Sequence, residues 1–488
     1  MFGYRTILIE PPRPAVVRHH PWAPWLAVGV VCFGAFMGQL DASIVTLTFR
    51  PMEREFGAPL AAVQWVSLAY LLVLVALLTP AGRVADVIGR KLVYGYGFAV
   101  FTVGSAACAV APSLGLLVAC RVLQAVGAAM LQANSVGLVT TSAPPGRMRL
   151  GLSIQAAAQA IGLGLGPTLG GLVTQTVGWR AVYWINVPVG CLAIVAGRYL
   201  LPRTRERCQA ATFDWPGAAL LGAFSVTLLV ALSVVGGLPA PGWLGALMAG
   251  SAVAAAVGFA VCQRHARHPL IPHELVRSAR ITLGLAGALL GYLVLFGPLV
   301  LVPQLLAGHS SVVRTGLILS ALPAGFGVAA LTAEAILPPG LRNRTRASIG
   351  AAACAAVMVM LLFMSSSLIG IVLLLGLAGL SLGILVPANN ALIMRTGAAS
   401  SAGTLGGLVN MARGIGTTLG IALVTLALHV GGGAGPGRHP GGTLAFAMLA
   451  AAAACAAVIA LTIRPLPGTT GGTAPGDPAV PEATGAFS

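Results

Sequence analysis

This 488-residue sequence has few charged residues. Asp, Glu, Lys and Arg together make up 8% of the chain, whereas hydrophobic residues make up 57%. A soluble globular domain carries roughly a quarter charged residues, so this composition argues against a soluble enzyme or a soluble nucleic-acid-binding domain. The mean hydropathy of +0.92 instead indicates a chain that lies mostly in lipid.

Patterns that carry enzymatic, redox or nucleotide chemistry are missing. The eight cysteines mostly lie in apolar stretches, with neither a disulfide-framework nor a metal-ligand spacing. Metal binding by His265, His268 and His273 is left as an alternative. No Gly-x(4)-Gly-Lys-Ser/Thr loop for ATP and no Ser/His/Asp constellation occurs. We therefore expect no cofactor, no metal site and no enzymatic activity.

Long apolar stretches fill the chain instead. A helix needs about 20 apolar residues to cross a bilayer, and hydropathy predicts about fourteen such spans. The predicted spans are 25–48, 62–81, 92–111, 114–141, 151–176, 182–201, 215–236, 243–262, 281–305, 315–337, 347–364, 368–394, 404–429 and 443–463. The predicted fold class is an all-α polytopic membrane protein.

The 28 basic residues predict the orientation of these spans. Cytoplasmic loops are enriched in Lys and Arg, and with the N-terminus inside, most basic residues fall on the cytoplasmic side. The outer loops hold Arg50, Arg54, Arg180, Arg314 and Arg438. We therefore expect both termini in the cytoplasm, and we interpret the net charge of +17 as topology rather than nucleic-acid binding.

An internal repeat predicts the division of the chain. The pattern Gly-x-Gly-x-Thr-Leu-Gly of residues 164–170 recurs at 414–420, a shift of eight spans where two six-helix halves would give six. Two additional helices between the halves explain the difference; the alternative is chance similarity of Gly-rich membrane helices. The predicted parts are a cytoplasmic segment (1–24), a six-helix bundle (25–201), a linker with two transmembrane helices (202–280), a second six-helix bundle (281–463) and a disordered cytoplasmic tail (464–488).

Only two carboxylates, Asp41 and Glu334, fall within the predicted spans, and a bilayer carboxylate suggests a function. Asp41 and Arg121 each lie about 7 residues from the outer ends of their spans, roughly 10 Å inside the same face. Arg121 would stabilise the ionised carboxylate and protonation would release Arg121, giving a switch for proton coupling; the alternative is a static ion pair. Glu334 is a second candidate for proton or cationic-drug binding, or it snorkels to the interface.

A charged segment, residues 82–91, links the second and third predicted spans. Its Asp can bind helix N-terminal amides or a nearby arginine, with Arg147 and Arg149 as candidates, and its glycines allow close helix approach and a tight turn. Such a cluster predicts a conformational latch; the alternative is a solvated basic loop. The candidate gating residues are Gly82, Asp86, Gly89, Arg90 and Lys91.

Two further sets of residues are candidates for helix motion and substrate binding. A Gly-rich face of the fifth span suits intimate, kinked packing; its residues are Gly162, Gly166, Pro167, Gly170 and Gly171. Polar and aromatic side chains are candidates to line a cavity, although each singly is more often packing or an interface anchor; they are Gln64, Trp65, Tyr70, Gln124, Gln159, Tyr292, Gln304, Asn410 and Arg413. Arg413 is a candidate contact for an anionic substrate or a backbone carbonyl.

Several of these motifs resemble one family. The segment Gly82-Arg83-Val84-Ala85-Asp86-Val87-Ile88-Gly89-Arg90-Lys91 resembles the signature loop of the major facilitator superfamily. Leu117-x(3)-Arg121-x(2)-Gln124-x(2)-Gly127 resembles its fourth-helix motif, Gly162-x(3)-Gly166-Pro167-x(2)-Gly170-Gly171 its antiporter motif, and residues 178–190 a loop of the 14-helix drug:proton antiporter branch. Thr46 replaces the usual Asn of the first-helix motif, and residues 338–342 are an eroded second copy of the signature loop.

The resemblance implies a major facilitator fold whose Gly-rich fifth-helix face lies between the halves. It implies a proton-coupled antiporter, of the multidrug or quaternary-ammonium exporter type, in a bacterial plasma membrane. Its substrates would be drugs, antibiotics or related amphipathic small molecules, exported by alternating access; its partners would be substrate, protons and lipid, not nucleic acid, and it would function as a monomer. The alternatives are a dedicated exporter of an endogenous metabolite, a transport-dead sensor or scaffold, and a membrane enzyme.

Overall fold

Fourteen long helices, α1 to α14, form this computed structural model, which describes residues 10, 12–204, 213–235, 240–266, 269–306, 312–338, 340–364, 367–431 and 440–463. They are α1 Ala23–Ile44, α2 Trp65–Ile88, α3 Arg90–Ala109, α4 Leu114–Ser142, α5 Met148–Thr176, α6 Asn186–Leu200, α7 Trp215–Val235, α8 Gly242–His265, α9 Ala279–Leu305, α10 Val312–Ile336, α11 Asn343–Met364, α12 Leu368–Met394, α13 Ala402–Val430 and α14 Pro440–Thr462. Shorter helices are Ala15–Arg18, Phe49–Phe56, Leu60–Val63, Arg180–Trp184 and His273–Arg277.

The predicted all-α polytopic class is confirmed. The described residues contain no β-strand. Among the described residues, 13 helices are long and apolar enough to cross a membrane. The helix α5 is bent by 41° between Met148–Gly166 and Leu169–Thr176, and the number is 14 if this bent helix is one span. The predicted tail, 464–488, lies outside the described residues.

The second span differs most from its prediction. It was expected to end at residue 81, but α2 continues to Ile88 and carries Asp86 inside the helix. The charged residues are helical rather than in a solvated loop because Arg83 and Asp86 are 7% and 0% exposed. The chain turns only at Gly89, whose φ of +121° favours glycine. The expectations of a loop over 82–91 and of only two carboxylates within the spans are therefore wrong.

Helix contacts repeat with a shift of eight helices. In the first half α1 packs on α5, and in the second half α9 packs on α13. Both contacts need glycine, because a Cβ on Gly162 would lie 2.6 Å from the backbone of α1, and a Cβ on Gly420 would lie 2.6 Å from that of α9. Between the halves, α2 packs on α13 and α10 packs on α5, which are equivalent contacts after the same shift. The packing thus follows the sequence repeat, while the domain boundaries stay a prediction.

The apolar core of each half includes residues that belong to the other half. The cluster among α9–α14 includes Ala156, Ala157 and Ala160 of α5. The cluster of the first half includes Ala402, Leu405, Leu408 and Val409 of α13. Motion of either half therefore has to break apolar contacts around α5 and α13.

The two additional helices form a hairpin at the edge of the molecule. α7 and α8 pack on each other, and α7 also contacts α2 and α13. Asp214 holds the base of the hairpin, because it accepts hydrogen bonds from Gly217 N at 2.8 Å, Gln263 Nε2 at 2.6 Å and Leu270 N at 3.1 Å. Only 6% of the most apolar stretch of α8 is buried inside the protein, so this helix has the exposed surface expected of a lipid-facing span.

Candidate functional site

A closed polar cluster lies within the first half, near the end of α1. Asp41 and Arg121 are 0% and 1% exposed, and Arg121 Nη1 lies 2.7 Å from Asp41 Oδ2. Arg121 also donates to the carbonyl oxygen of Val66 at 3.1 Å and to Gln124 Oε1 at 2.6 Å, and its guanidinium lies 4.1 Å from the centroid of the Tyr70 ring. The structure thus brings together the two residues that were expected at the same depth.

The other oxygen of Asp41 is held by two amides. Oδ1 accepts hydrogen bonds from Gln124 Nε2 and Asn186 Nδ2, each at 3.0 Å. Both amides also donate to Ser105 Oγ, at 3.2 and 3.1 Å, and this hydroxyl donates to the carbonyl oxygen of Tyr183 at 3.0 Å. Three side chains thus donate to Asp41, one of them the cationic Arg121, an arrangement that suits a carboxylate accepting hydrogen bonds at both oxygens.

Two members of this cluster were assigned wrongly from the sequence, and two were missed. Gln124 and Tyr70 were expected to line a substrate cavity, but both are buried beside the ion pair. Gln124 lies one helical turn after Arg121, so both face Asp41. Asn186 and Ser105 were not predicted; an amide at the start of an apolar span was the signal for Asn186.

A second buried carboxylate joins the two halves at the other end of α2. Asp86 accepts hydrogen bonds from Gly403 N at 2.8 Å and from Thr404 N and Oγ1 at 2.7 Å, at the first turn of α13. Arg90 pairs with Asp86 at 2.8 Å and also donates to the carbonyl oxygen of Ala399. An anionic side chain at a helix N-terminus is favourable because it meets unpaired N–H groups and the positive end of the helix dipole. We call this contact the Asp86 latch.

The arginine partner of Asp86 differs from the prediction. Arg90, not Arg147 or Arg149, binds the carboxylate, because it lies one turn along the chain and faces α13. Arg149 Nη1 instead donates to Asn343 Oδ1 at 3.0 Å and so links α5 to α11 in the other half.

Arg346 occupies the corresponding position in the second half. It is 2% exposed and donates to the carbonyl oxygens of Leu341 at 3.3 Å, Ala333 at 3.4 Å and Pro338 at 3.0 Å. These carbonyls lie at or just beyond the C-terminal end of α10, where a cation is favourable.

The Gly-rich face of α5 packs within the first half, not between the halves. Gly162, Gly166 and Gly170 contact α1, with a Cβ on Gly162 placed 2.6 Å from its backbone. Gly164 instead faces α10, because a Cβ on Gly164 would lie 3.2 Å from Cγ of Pro323. Residues four apart share a helix face and a residue two positions away lies on the opposite face, so the motif and the contact between halves are on different sides of α5.

Another buried arginine, Arg413, lies between the halves. Arg413 of α13 is 5% exposed; it donates to Asn410 Oδ1 at 3.0 Å and to Gln159 Oε1 of α5. Its guanidinium lies 4.2 Å from the centroid of the Tyr292 ring of α9. Asn410 in turn donates to the carbonyl oxygen of Gln132 at 2.8 Å. This cluster, defined by Arg413, Asn410, Gln159 and Tyr292, connects three helices of the two halves.

A cavity adjoins the Arg413 cluster. It lies between α1, α5, α9 and α10, and in this conformation it is small, with a volume of about 20 Å³. Its polar side chains include Gln159 of the cluster and Gln39, and its aromatic walls are Tyr292, Phe296 and Phe326. Among the predicted cavity residues, Gln159 and Tyr292 line it, while Asn410 and Arg413 lie behind it.

The other predicted site residues lie apart from this cavity or outside the described side chains. Gln64 is half-buried before α2, and Gln304 is exposed near the end of α9. Lys91 is 4% exposed at the start of α3, and Gly171 is half-buried in α5. Glu334 lies in α10 and Pro167 in α5, but their side chains lie outside the described residues, as does His268 entirely. Within the described chain no group of three or more His, Cys, Asp or Glu is arranged to hold a metal.

Comparison with known proteins establishes the family. The family model described as Major Facilitator Superfamily matches residues 31–421, which is most of the chain. The chain belongs to the major facilitator superfamily. Proteins of this superfamily carry small molecules across membranes and are not enzymes, and the many apolar helices make this member a multi-pass membrane protein.

Curated relatives of this superfamily protein include drug-resistance and vitamin transporters. It is 36% identical over 273 residues to the tetracenomycin C resistance and export protein of Streptomyces glaucescens, covering 55% of this chain and 49% of that protein. It is 32% identical over 212 residues to the riboflavin transporter RibZ of Clostridioides difficile, covering 43% and 46%. These two matches thus span about half of each relative.

A longer match and a solved structure extend across the molecule. The chain is 28% identical over 446 residues to the methylenomycin A resistance protein of Bacillus subtilis, covering 88% of this chain and 92% of that protein. The crystal structure of the human organic anion transporter MFSD10 (TETRAN) superposes with a TM-score of 0.64 at 16% identity, covering 91% of this chain and 100% of that one. The latter likeness shows the major facilitator fold alone.

Proposed function

We propose that this protein is a proton-coupled antiporter that exports drugs, antibiotics or related amphipathic small molecules by alternating access. The observation that carries the proposal is the buried Asp41–Arg121 pair with its two amide donors. A charge pair of this kind inside a membrane is costly to keep, and intramembrane carboxylates mark proton pathways in pumps and transporters. A static pair fixing helix register is the competing explanation.

The proton acts on the contacts of Asp41. When Asp41 is ionised, Arg121 is bound to it and also to the backbone of α2 through Val66. Protonation removes the charge that holds Arg121, so α1 and α4 are free to change their relative position. Binding of substrate from the other side then favours the return of Asp41 to its ionised, paired state, which makes proton entry and substrate exit alternate.

The Asp86 latch is the gate in this cycle. It closes the end of the molecule at which α2 ends and α13 begins, and the proposal places that end in the cytoplasm because most basic residues lie there. The protein then lies in a bacterial plasma membrane with both termini in the cytoplasm and functions as a monomer. The structure described is thus a conformation closed to the cytoplasm, from which substrate loading requires the latch to open.

Two substrate ranges fit this proposal. Resistance and export relatives support drug-like substrates. A riboflavin transporter among the relatives supports the alternative, a dedicated exporter of one endogenous metabolite. Competition separates them, because a dedicated exporter is inhibited by few unrelated compounds and a multidrug exporter by many.

The test is uptake into inside-out vesicles under an imposed pH gradient. A panel of fluorescent aromatic dyes of both charges is offered to vesicles with and without the protein. The proposal predicts uptake that requires the protein and stops when nigericin collapses the gradient. Uptake that persists at full rate after collapse would overturn proton coupling and leave passive facilitation. Glu55→Gln serves as a control variant, since Glu55 is an exposed carboxylate outside the cluster.

A further inference from the structure

Arg413 differs from the other two buried arginines that hold functional clusters. Arg121 is paired with Asp41 and Arg90 with Asp86, whereas Arg413 has no carboxylate partner among the described residues. Its described contacts are the neutral oxygens of Asn410 and Gln159 and the face of the Tyr292 ring. A buried cation without a counter-charge is costly, and residues of this kind in membrane helices usually face a ligand pathway.

Arg413 fixes the orientation of the amide of Gln159. A guanidinium has donors and no acceptor, so the Gln159 atom that faces it has to be Oε1. The Nε2 donor then points away from Arg413, and it makes no hydrogen bond to a described residue. Because Gln159 lines the cavity, this donor is the polar group that the cluster presents to a bound molecule. Its amide is polarised by the cation behind it, which strengthens it as a donor.

The cavity lining contains no acidic side chain. It consists of two glutamines, Gln39 and Gln159, with apolar and aromatic side chains. Asp41 is fully buried and turned toward α4, where three donors occupy it. Among the described residues, Arg413 places a positive charge against the lining side chains Gln159 and Tyr292, and this charge repels cations and attracts anions in a low-dielectric site.

We propose that this cavity binds organic anions with a planar aromatic ring. The cavity is small in the closed conformation, so the ring enters when the Asp86 latch opens and the helices around the cavity separate. The ring then stacks among Tyr292, Phe296 and Phe326, and the anionic group accepts a hydrogen bond from Gln159 Nε2 with Arg413 behind it. Arg413 is a positioning residue, because it acts through Gln159. The inference rests on the proposed function, because it takes this cavity to be the substrate site of the proposed exporter. It assigns to that site a charge preference opposite to that of a quaternary-ammonium exporter.

The experiment compares two dyes that share a xanthene ring and differ in charge. Fluorescein is anionic at alkaline pH and rhodamine 6G is cationic. Equilibrium binding to the purified, full-length protein in lipid nanodiscs is measured by fluorescence polarisation, without any gradient. We expect saturable fluorescein binding that is about tenfold tighter than rhodamine 6G binding, since one unscreened charge is worth at least this factor in a dry site.

Three variants separate the charge from the packing. Arg413→Gln should weaken fluorescein binding about tenfold without weakening rhodamine 6G binding, Arg413→Lys should restore most of it, and Gln159→Leu should weaken fluorescein binding by removing the donor. If the role of Arg413 were structural, Arg413→Gln would instead weaken the binding of both dyes together. Tighter rhodamine 6G binding, an unchanged preference in Arg413→Gln, or no saturable fluorescein binding would overturn the inference.

The same experiment is independent of proton coupling. Gradient-driven uptake of rhodamine 6G with no anion preference would contradict this inference and leave the proposed antiport standing. Anion-selective binding without gradient-driven flux would do the reverse.

Discussion

Asp86 of α2 accepts hydrogen bonds from both the backbone N–H and the hydroxyl of Thr404 of α13, each at 2.7 Å, although the two residues are 318 positions apart. This carboxylate thus closes one end of the molecule from one half to the other. Asp86→Asn should open that end, because it removes the charge that binds Arg90 and the helix N-terminus. Hydrogen bonds to a charged group contribute about 1.5–3 kcal/mol, so the closed form should lose about tenfold or more in population.

Hydrogen–deuterium exchange of the first turn of α13 checks this prediction. The amides of Gly403 and Thr404 should exchange faster in Asp86→Asn than in the wild type. Asp214→Asn is the matched control, since Asp214 also binds helix N-terminal amides but only within the α7–α8 hairpin and its base. Equal protection of this turn in wild type and Asp86→Asn would show that the latch does not hold the end closed.

A second prediction concerns the close approach of α2 and α13. A Cβ on Gly82 would overlap the carbonyl group of Gly403, and a Cβ on Gly407 would lie 2.5 Å from the carbonyl oxygen of Leu78. Gly82→Ala should therefore force the helices apart at a cost of about 1–3 kcal/mol and lower transport. Gly95→Ala in α3 is the control, because its Cβ meets nothing within 4 Å. Gly82→Ala should lower both the melting temperature and the rate of dye uptake, and Gly95→Ala should change neither. Unimpaired transport in Gly82→Ala would show that this close contact is not needed.

Arg121→Lys should abolish most gradient-driven uptake although it keeps the charge. Lysine is a point charge and cannot donate to Asp41, Gln124 and the Val66 carbonyl with the geometry of the guanidinium. We expect a loss of about tenfold or more in initial uptake rate, consistent with the loss of charged hydrogen bonds. Arg264→Lys, on the exposed last turn of α8, should leave uptake unchanged. A variant Arg121→Lys with the wild-type rate would mean that charge alone suffices.

The exposed ion pair between Glu55 and Arg180 leads to a prediction about the pH dependence of stability. A hydrogen bond from Arg180, and a second from Trp179, lower the pKa of Glu55 below its usual value. A carboxylate whose folded-state pKa is lowered stabilises the protein above its unfolded pKa, and the stabilisation is lost as the pH falls through the folded pKa. Glu55→Gln should therefore lower the melting temperature at neutral pH and not in acid. Since the pair is exposed, the effect should be at most about 1 kcal/mol; a difference that grows on acidification would contradict this explanation.

The sequence predicts the helices well because membrane spans are set by length and hydropathy. Its main error is the end of α2, where charge suggested a loop. Asp86 and Arg83 are helical because they are buried against other helices, and a single sequence does not show which charges have partners. The glycine pattern at 164–170 and 414–420 predicted the repeat with its shift of eight helices. It is a reliable signal because glycine is needed where α5 meets α1 and where α13 meets α9.

The site could be predicted only in part. The pairing of Asp41 with Arg121 could be predicted because the helix rise alone sets the depth of a residue in the membrane. The direction in which a side chain points around the helix axis could not be predicted, so Gln124 and Tyr70 were expected in a cavity although they surround the ion pair. Phe296 and Phe326 line the cavity without a polar signature that would separate them from lipid-facing residues.

In the proposed mechanism Asp41 couples proton entry to substrate export. Measuring both substrate exchange and gradient-driven uptake by the Asp41→Asn variant tests this role. Asparagine at this position resembles the protonated carboxylate, so Asp41→Asn should retain substrate–substrate exchange across proteoliposomes while it loses uptake driven by a pH gradient. Glu55→Gln should keep both modes. Loss of exchange and gradient-driven uptake together would indicate a structural role for the pair, and retention of gradient-driven uptake in Asp41→Asn would contradict the account.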